Sequence, residues 1–255
     1  MTPPPLVMAY HGLGEVPHAQ DPSGLMVPVD SFRRQVGRLR RRGYTFVRQA
    51  DLAARIASGE SAAGLCSLTF DDAPEDNATT LLEVLDELEV PATVFACPGL
   101  LGEPWPFMDP STGIRLCDAE QLRTIAVHPR TEVGSHTREH TQLDAFGAEA
   151  AFEEMVVSKR DLEAMLDVEV LSFAYPACGY PPDGPEAARR AGYTSAVTCG
   201  PRGGRELLFE MARASPSPPD GPLTFELKSR GAFFAARDMP PVRLARRVLR
   251  PLRWR

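Results

Sequence analysis

Ser67-Leu68-Thr69-Phe70-Asp71-Asp72-Ala73 closes an apolar run with strand character, Leu65 to Phe70, and breaks it with two adjacent carboxylates. A second run of the same kind ends in Ser135-His136-Thr137-Arg138-Glu139-His140, with two imidazoles four residues apart. Two imidazoles and a carboxylate suit a borderline divalent cation such as zinc, and a catalytic site keeps a further position open for water. Neighbouring residues at a strand end point in different directions, so one Asp can serve a cation while the other acts as a base. Taken alone, an Asp-Asp pair is more often a turn or a helix cap. A His-x3-His pair alone fits a solvated helical turn equally well. Both pairs at strand ends in one chain favour a shared site.

Thr69-Phe70-Asp71-Asp72-Ala73 resembles the Thr-Phe-Asp-Asp-Gly motif of the polysaccharide deacetylase family, the NodB-type domain of carbohydrate esterase family four. His136-Thr137-Arg138-Glu139-His140 resembles its His-Ser/Thr-x-x-His motif, and Phe173-Ala174-Tyr175-Pro176-Ala177-Cys178-Gly179 its third motif. Tyr10-His11 and Pro91-Ala92-Thr93-Val94-Phe95 look like further family features. Members with an N-terminal Tyr-His, including those acting on poly-N-acetylglucosamine, are the most similar in look. The resemblance implies a (β/α)7-type barrel and a metal-dependent hydrolase that removes N-acetyl groups from an N-acetylated sugar, releasing acetate. It implies Asp72, His136 and His140 as ligands of a divalent metal (zinc, with cobalt, nickel or iron as alternatives) and Asp71 as general base. A backbone N–H just after Pro176 is implied as an oxyanion donor, with Tyr175 and Pro176 on the substrate side.

This chain departs from the family pattern at three points. Ala73 stands where the family has Gly, which strains the backbone if φ is positive there. The Phe-Ala-Tyr-Pro form of the third motif lacks the Arg that orients the base in many members; Arg213, in a segment resembling a late family strand, is the candidate replacement. No His follows His140, so the late Leu-x-His that protonates the leaving amine elsewhere is missing. The acid is then His11, at the end of the first strand, or Asp71 once protonated. Two alternatives stay open: the same site acting on a nucleotide-linked or natural-product amide, and a catalytically weak glycan-binding domain.

Along the chain, strand-like segments at 6–10, 44–47, 65–70, 93–97, 132–136, 170–175 and 194–198 alternate with amphipathic helices. That alternation predicts parallel strands with right-handed crossovers and a single α/β domain, a distorted (β/α)7-type barrel over residues 1–238. Its chemistry belongs at the C-terminal strand ends, where His11, Asp71, Asp72, His136 and Tyr175 fall. The Pro- and Gly-rich stretch 98–117 is long for a loop without its own structure and reads as a functional segment or lid. Trp105 and Phe107 within it are candidates for a sugar-stacking platform, or for pinning the loop to the body.

A net charge of -6 over 255 residues gives no nucleic-acid footprint, and no nucleic-acid partner is expected. The five cysteines are odd in number and lack Cys-x-x-Cys spacing, which argues against a disulfide framework and for a reducing compartment. Without a leader-like or spanning apolar run, the expectation is a cytoplasmic protein. Residues 239–255 carry six Arg and no acid, interleaved with apolar residues and Trp254. Such a basic amphipathic tail predicts peripheral contact with an anionic inner-membrane surface, or a terminal helix packed on the barrel.

Overall fold

Seven parallel strands close into a ring in the computed structural model, which describes residues 2–199, 207–218 and 220–230. Residues 1–218 form one unit and 219–255 a second, in which a helix spans Pro222–Ser229. The basic tail at 239–255 lies outside the described residues. In the first unit the order is β1 (Leu6–Tyr10), β2 (Gly12–Leu13), β3 (Met26–Val27), α1 (Val29–Arg41), β4 (Thr45–Val47), α2 (Gln49–Ala57), β5 (Leu65–Phe70) and α3 (Thr80–Leu88). There follow β6 (Ala92–Ala96), α4 (Ala119–Val127), β7 (Thr131–Ser135), α5 (Ala148–Leu166), β8 (Ser172–Ala174), α6 (Gly184–Arg190), β9 (Ser195–Thr198) and β10 (Met211–Ala214).

The ring runs β1-β10-β9-β8-β7-β6-β5 and closes through the β1–β5 pairing. The expected strand at 44–47 forms but is not a ring member. Ser67 pairs with Val7 on one edge of β5 and with Val47 on the other, whereas Thr69 pairs with Ala9 and Thr93. β4 therefore takes the N-terminal part of the edge that β6 takes further along. The seventh ring strand is β10, whose Arg213 lies opposite Val7. Met-Ala-Arg-Ala has neither a period-2 pattern nor an apolar run, so periodicity alone gave no strand there.

The barrel strands are buried on both faces, as parallel strands under helices are, which is why β5 and β6 read as continuous apolar runs. α1 lays Phe32, Val36 and Leu39 inward; the Phe32 and Phe70 rings pack on Tyr10, whose hydroxyl donates to Gln35 Oε1 at 2.9 Å. α4 starts on a capping box between Asp118 and Gln121. A short 3-10 turn, Glu75–Ala78, precedes α3, which starts at Thr80. Asn77 causes no ordinary surface turn here: it is buried and its side chain donates to the His11 carbonyl at 3.1 Å. Residues 98–117 are tied down by two 3-10 turns and by antiparallel bridges, Pro74 to Leu116 and Pro104 to Arg115.

Candidate active site

The carboxyl ends of β1, β5, β7, β8 and β10 place His11, Asp71, Asp72, His136, Tyr175 and Arg213 around one pocket of about 250 Å³. Asp71 still belongs to the sheet, since its N–H donates to the Tyr10 carbonyl at 2.9 Å. Asp72 and Ala73 then turn to positive φ, 69° and 55°. That turn bends the second carboxylate back over the barrel mouth, where continued strand alternation would send it away from Asp71.

Asp72, His136 and His140 bring one ligand atom each within 4.8 Å of one another. Asp72 Oδ1 lies 3.6 Å from His136 Nε2 and 3.5 Å from His140 Nε2, and it is buried with no hydrogen-bond partner. His136 Nδ1 lies 2.8 Å from the Ala174 carbonyl, which accepts the ring proton and leaves Nε2 with its lone pair turned to the cluster. Burial lowers the His136 imidazole to about 3 and moves His140 in the same direction, so both rings are neutral at pH 7. Burial also pushes the Asp72 carboxyl up to about 6, against the pull of His11. An orphaned buried oxygen beside two neutral imidazoles is the donor set of a borderline divalent cation, and the residues fit one.

Asp71 is held differently. Arg213 grips it with both arms, Nη1 to Oδ1 at 2.6 Å and Nη2 to Oδ2 at 2.7 Å, and Nη1 also donates to Thr69 Oγ1 at 3.1 Å. The guanidinium is 1% exposed and lies 5.8 Å from the centroid of the Phe95 ring. Burial alone would raise the Asp71 carboxyl; Arg213, with His136 beside it, outweighs that and holds it well below the usual carboxylate range. Asp71 Oδ2 is 4.0 Å from His136 Nε2, so an ionised carboxylate faces the cation site. Thr69, quoted at first only as part of a motif, donates its hydroxyl hydrogen bond to the Met8 carbonyl at 2.7 Å and so anchors both Arg213 and β1.

Several expected site residues have other tasks. Trp105 is 2% exposed and its indole Nε1 donates to Asp72 Oδ2 at 2.9 Å, so it offers no face to a sugar. Phe107 is the aromatic residue at the pocket mouth, 40% exposed, with its ring 4.5 Å from that of His140. Arg213, by contrast, stands where a replacement for the missing motif Arg was expected, with its two terminal nitrogens on Asp71 and Thr69 rather than on a substrate. Tyr175 lines the pocket but is fully buried, and its hydroxyl donates to the Phe209 carbonyl at 3.1 Å. Pro176 opens a turn in which Cys178 and Gly179 donate back to Tyr175 and Pro176. Ala177, in that turn at φ 47°, borders the pocket.

The expectation of unpaired cysteines is corrected for one pair. Cys178 and Cys199 form a disulfide across the pocket wall, with Cα atoms 5.3 Å apart, while Cys66, Cys97 and Cys117 are free and buried. These two follow the neighbouring parallel strands β8 and β9, a proximity that a separation of 21 residues does not announce. Counting cysteines therefore carries no argument about compartment here.

The family model described as polysaccharide deacetylase matches residues 58–196. YxkH of Bacillus subtilis (strain 168), whose name assigns it to the polysaccharide deacetylases, is 24% identical over 196 residues. The alignment covers 76% of this chain and 64% of that protein, so the chain spans under two thirds of the relative's length. Streptococcus pyogenes deacetylase PplD, solved in complex with acetate, superposes with a TM-score of 0.72 at 21% identity, covering 90% of this chain and 98% of the other. A de-N-acetylase from Aggregatibacter actinomycetemcomitans gives 0.69 at 16% identity, covering 88% and 99%. At these identities the two structures speak for the barrel fold. The family match spans more than half of the residues and includes both Asp and both His positions of the buried cluster; the chain belongs to the polysaccharide deacetylase family.

Proposed function

We propose that the chain is a metal-dependent amide hydrolase that removes the N-acetyl group from an N-acetylglucosamine-type sugar or glycan. One observation carries this reading: a buried Asp-His-His donor set with an orphaned carboxylate oxygen lies beside a second carboxylate kept ionised by Arg213. Asp72, His136 and His140 would hold a divalent cation, which would supply Lewis acidity toward the amide carbonyl and toward water. Asp71, an acceptor at any physiological pH, takes the proton of the attacking water. The C–N bond breaks, oxygen from water stays on the acetyl carbon, and the amine leaves with a proton returned from Asp71 or passed by His11. His11 borders the same pocket. The Ala177 N–H, directly after Pro176, is the backbone donor assigned to the developing oxyanion. Phe107, exposed beside His140, offers a face on which a pyranose ring can stack.

The test is acetate release from N-acetylglucosamine oligomers, with zinc or cobalt restored and a chelator control. Wild-type protein is expected to release acetate in a chelator-sensitive way, and Asp71→Asn to bind metal normally while losing turnover about 10²–10⁴-fold. Full activity in Asp71→Asn would remove the base assignment. A folded, metal-loaded wild type that released nothing from any oligomer would favour a nucleotide-linked or natural-product amide, or a domain that binds without turning over.

A further inference from the structure

The loop at 98–117 is fastened to the segment that follows Asp72, and it brings one side chain onto that residue. Cys117 N–H donates to the Ala73 carbonyl at 2.9 Å and Glu75 N–H to the Arg115 carbonyl at 3.0 Å. Trp105 N–H donates to Ile114 O at 3.0 Å, and its ring sits among Met26, Met108 and Leu116 in a small buried cluster. These ties hold the indole in one place, with Nε1 on Asp72 Oδ2. The two carboxylate oxygens are thereby made unequal. Oδ2 is satisfied by the protein, while Oδ1, without a partner, looks toward both imidazoles.

We propose that Trp105 is a positioning residue for the cation site, fixing the Asp72 carboxylate so that it offers a divalent cation Oδ1 alone. The inference rests on the metal-dependent reading above. Partners that orient a ligating group in this way change metal affinity about 10–100-fold when removed. Trp is suited to the task because its N–H donates only and has no lone pair to compete for the cation. Trp105 also sits two residues before Phe107, so the same fixed loop joins the metal ligand to the pocket mouth. Of the two readings its length allows, a functional segment or a lid, these ties favour the first.

The test measures metal affinity rather than turnover. Full-length wild type and Trp105→Phe are stripped and titrated with Co²⁺ against a competing chromogenic chelator, and the cobalt visible spectrum is recorded. Trp105→Phe keeps an aromatic ring and removes the donor; the expected result is a dissociation constant raised about 10–100-fold with an altered spectrum. A purely structural role would lower the melting temperature and leave the affinity of the folded protein and its spectrum unchanged, and that result overturns the proposal. Should Trp105→Phe not fold, Trp254→Phe leaves Trp105 as the only indole. Its fluorescence is then expected to fall in step with stoichiometric Co²⁺ binding, and binding without quenching overturns the proposal. A wild type that binds no cobalt sinks the metal-dependent reading itself, whereas equal binding by both proteins sinks only the role of Trp105.

Discussion

Arg213→Met tests the site at the contact on which its proton chemistry depends. The substitution keeps most of the aliphatic volume and removes a buried guanidinium that makes two bonds to Asp71, at 2.6 and 2.7 Å, and one to Thr69. Breaking a buried ion pair from one side costs about 3–5 kcal/mol, because the remaining charge is left desolvated. In the wild type the Asp71 carboxyl lies below its unfolded value, so its contribution to stability is full above about pH 4 and is lost only as pH falls through the depressed folded value. In Arg213→Met the largest remaining influence is burial, which raises the carboxyl. The sign then reverses: stability is greatest at low pH and is lost as pH rises through the new folded value. Two assays read this. Urea unfolding from pH 4 to 8 is expected to show a variant destabilised by about 3–5 kcal/mol at pH 8 and much less at pH 4. The acid limb of kcat/KM is expected to move to higher pH, with turnover below it reduced by up to about 10²–10⁴-fold as the base becomes protonated. Unchanged pH profiles in both measurements would refute the claim that Arg213 sets the ionisation of Asp71, and with it the account of how the base is held.

Three further substitutions probe the frame around the site. Ala73 sits at φ 55° where Gly pays no steric cost, so Ala73→Gly is expected to be neutral or stabilising by up to about 1 kcal/mol in urea titration; a loss larger than that would show that the buried methyl outweighs the strain. Asp76 is half-buried, its Oδ1 is buried and unpartnered, and desolvation pushes its carboxyl up to about 7. Its folded value exceeds its unfolded one, so its contribution is present below about pH 4 and is lost as pH rises toward 7, a spread of at most roughly 4 kcal/mol. Asp76→Asn should flatten that part of the pH–stability curve, and an unchanged slope would rule the group out. Cys199→Ser removes a crosslink spanning 21 residues and is expected to cost about 3 kcal/mol, read as a lower melting temperature that dithiol treatment no longer changes. Equal sensitivity to dithiol in wild type and variant would show that this bridge is not what the reductant opens.

The parts of the molecule visible in its sequence are those where one local pattern has one structural meaning. β5 and β6 are apolar runs closed by turn chemistry, so periodicity located them within a residue. The Asp71–Asp72 and His136–His140 pairs were visible because their chemistry is written in adjacent residues. Properties set by tertiary contact were not visible. Whether Tyr44–Val47 joins the ring depends on which part of the β5 edge remains open, and that is settled by β6. A stacking platform and a buried donor look alike in Pro104-Trp105-Pro106-Phe107; only burial assigned Trp105 to Asp72 and left Phe107 exposed. The bond between Cys178 and Cys199 likewise follows from strand order, which no spacing encodes.

One local feature ties these contacts together. Three of the segments that reach the pocket leave their strands through left-handed backbone at residues other than glycine: Asp72 and Ala73 after β5, Thr137 and His140 after β7, Ala177 and Cys178 after β8. Each such residue costs roughly 1–3 kcal/mol and persists only where its surroundings over-determine it. The surroundings supply that here. Ala73 O receives Cys117 N–H, Thr137 Oγ1 receives Thr141 N–H at 2.8 Å, and Cys178 is bonded to Cys199. The strain has a geometric use, since extended backbone at Asp72 would direct consecutive carboxylates to opposite sides of β5 and separate base from ligand. The family's Gly after the Asp pair is the one trace of this requirement at the level of sequence. Ala73 in its place means that this chain relies on tertiary contacts, among them the ties from residues 98–117, to hold a turn that glycine would adopt freely.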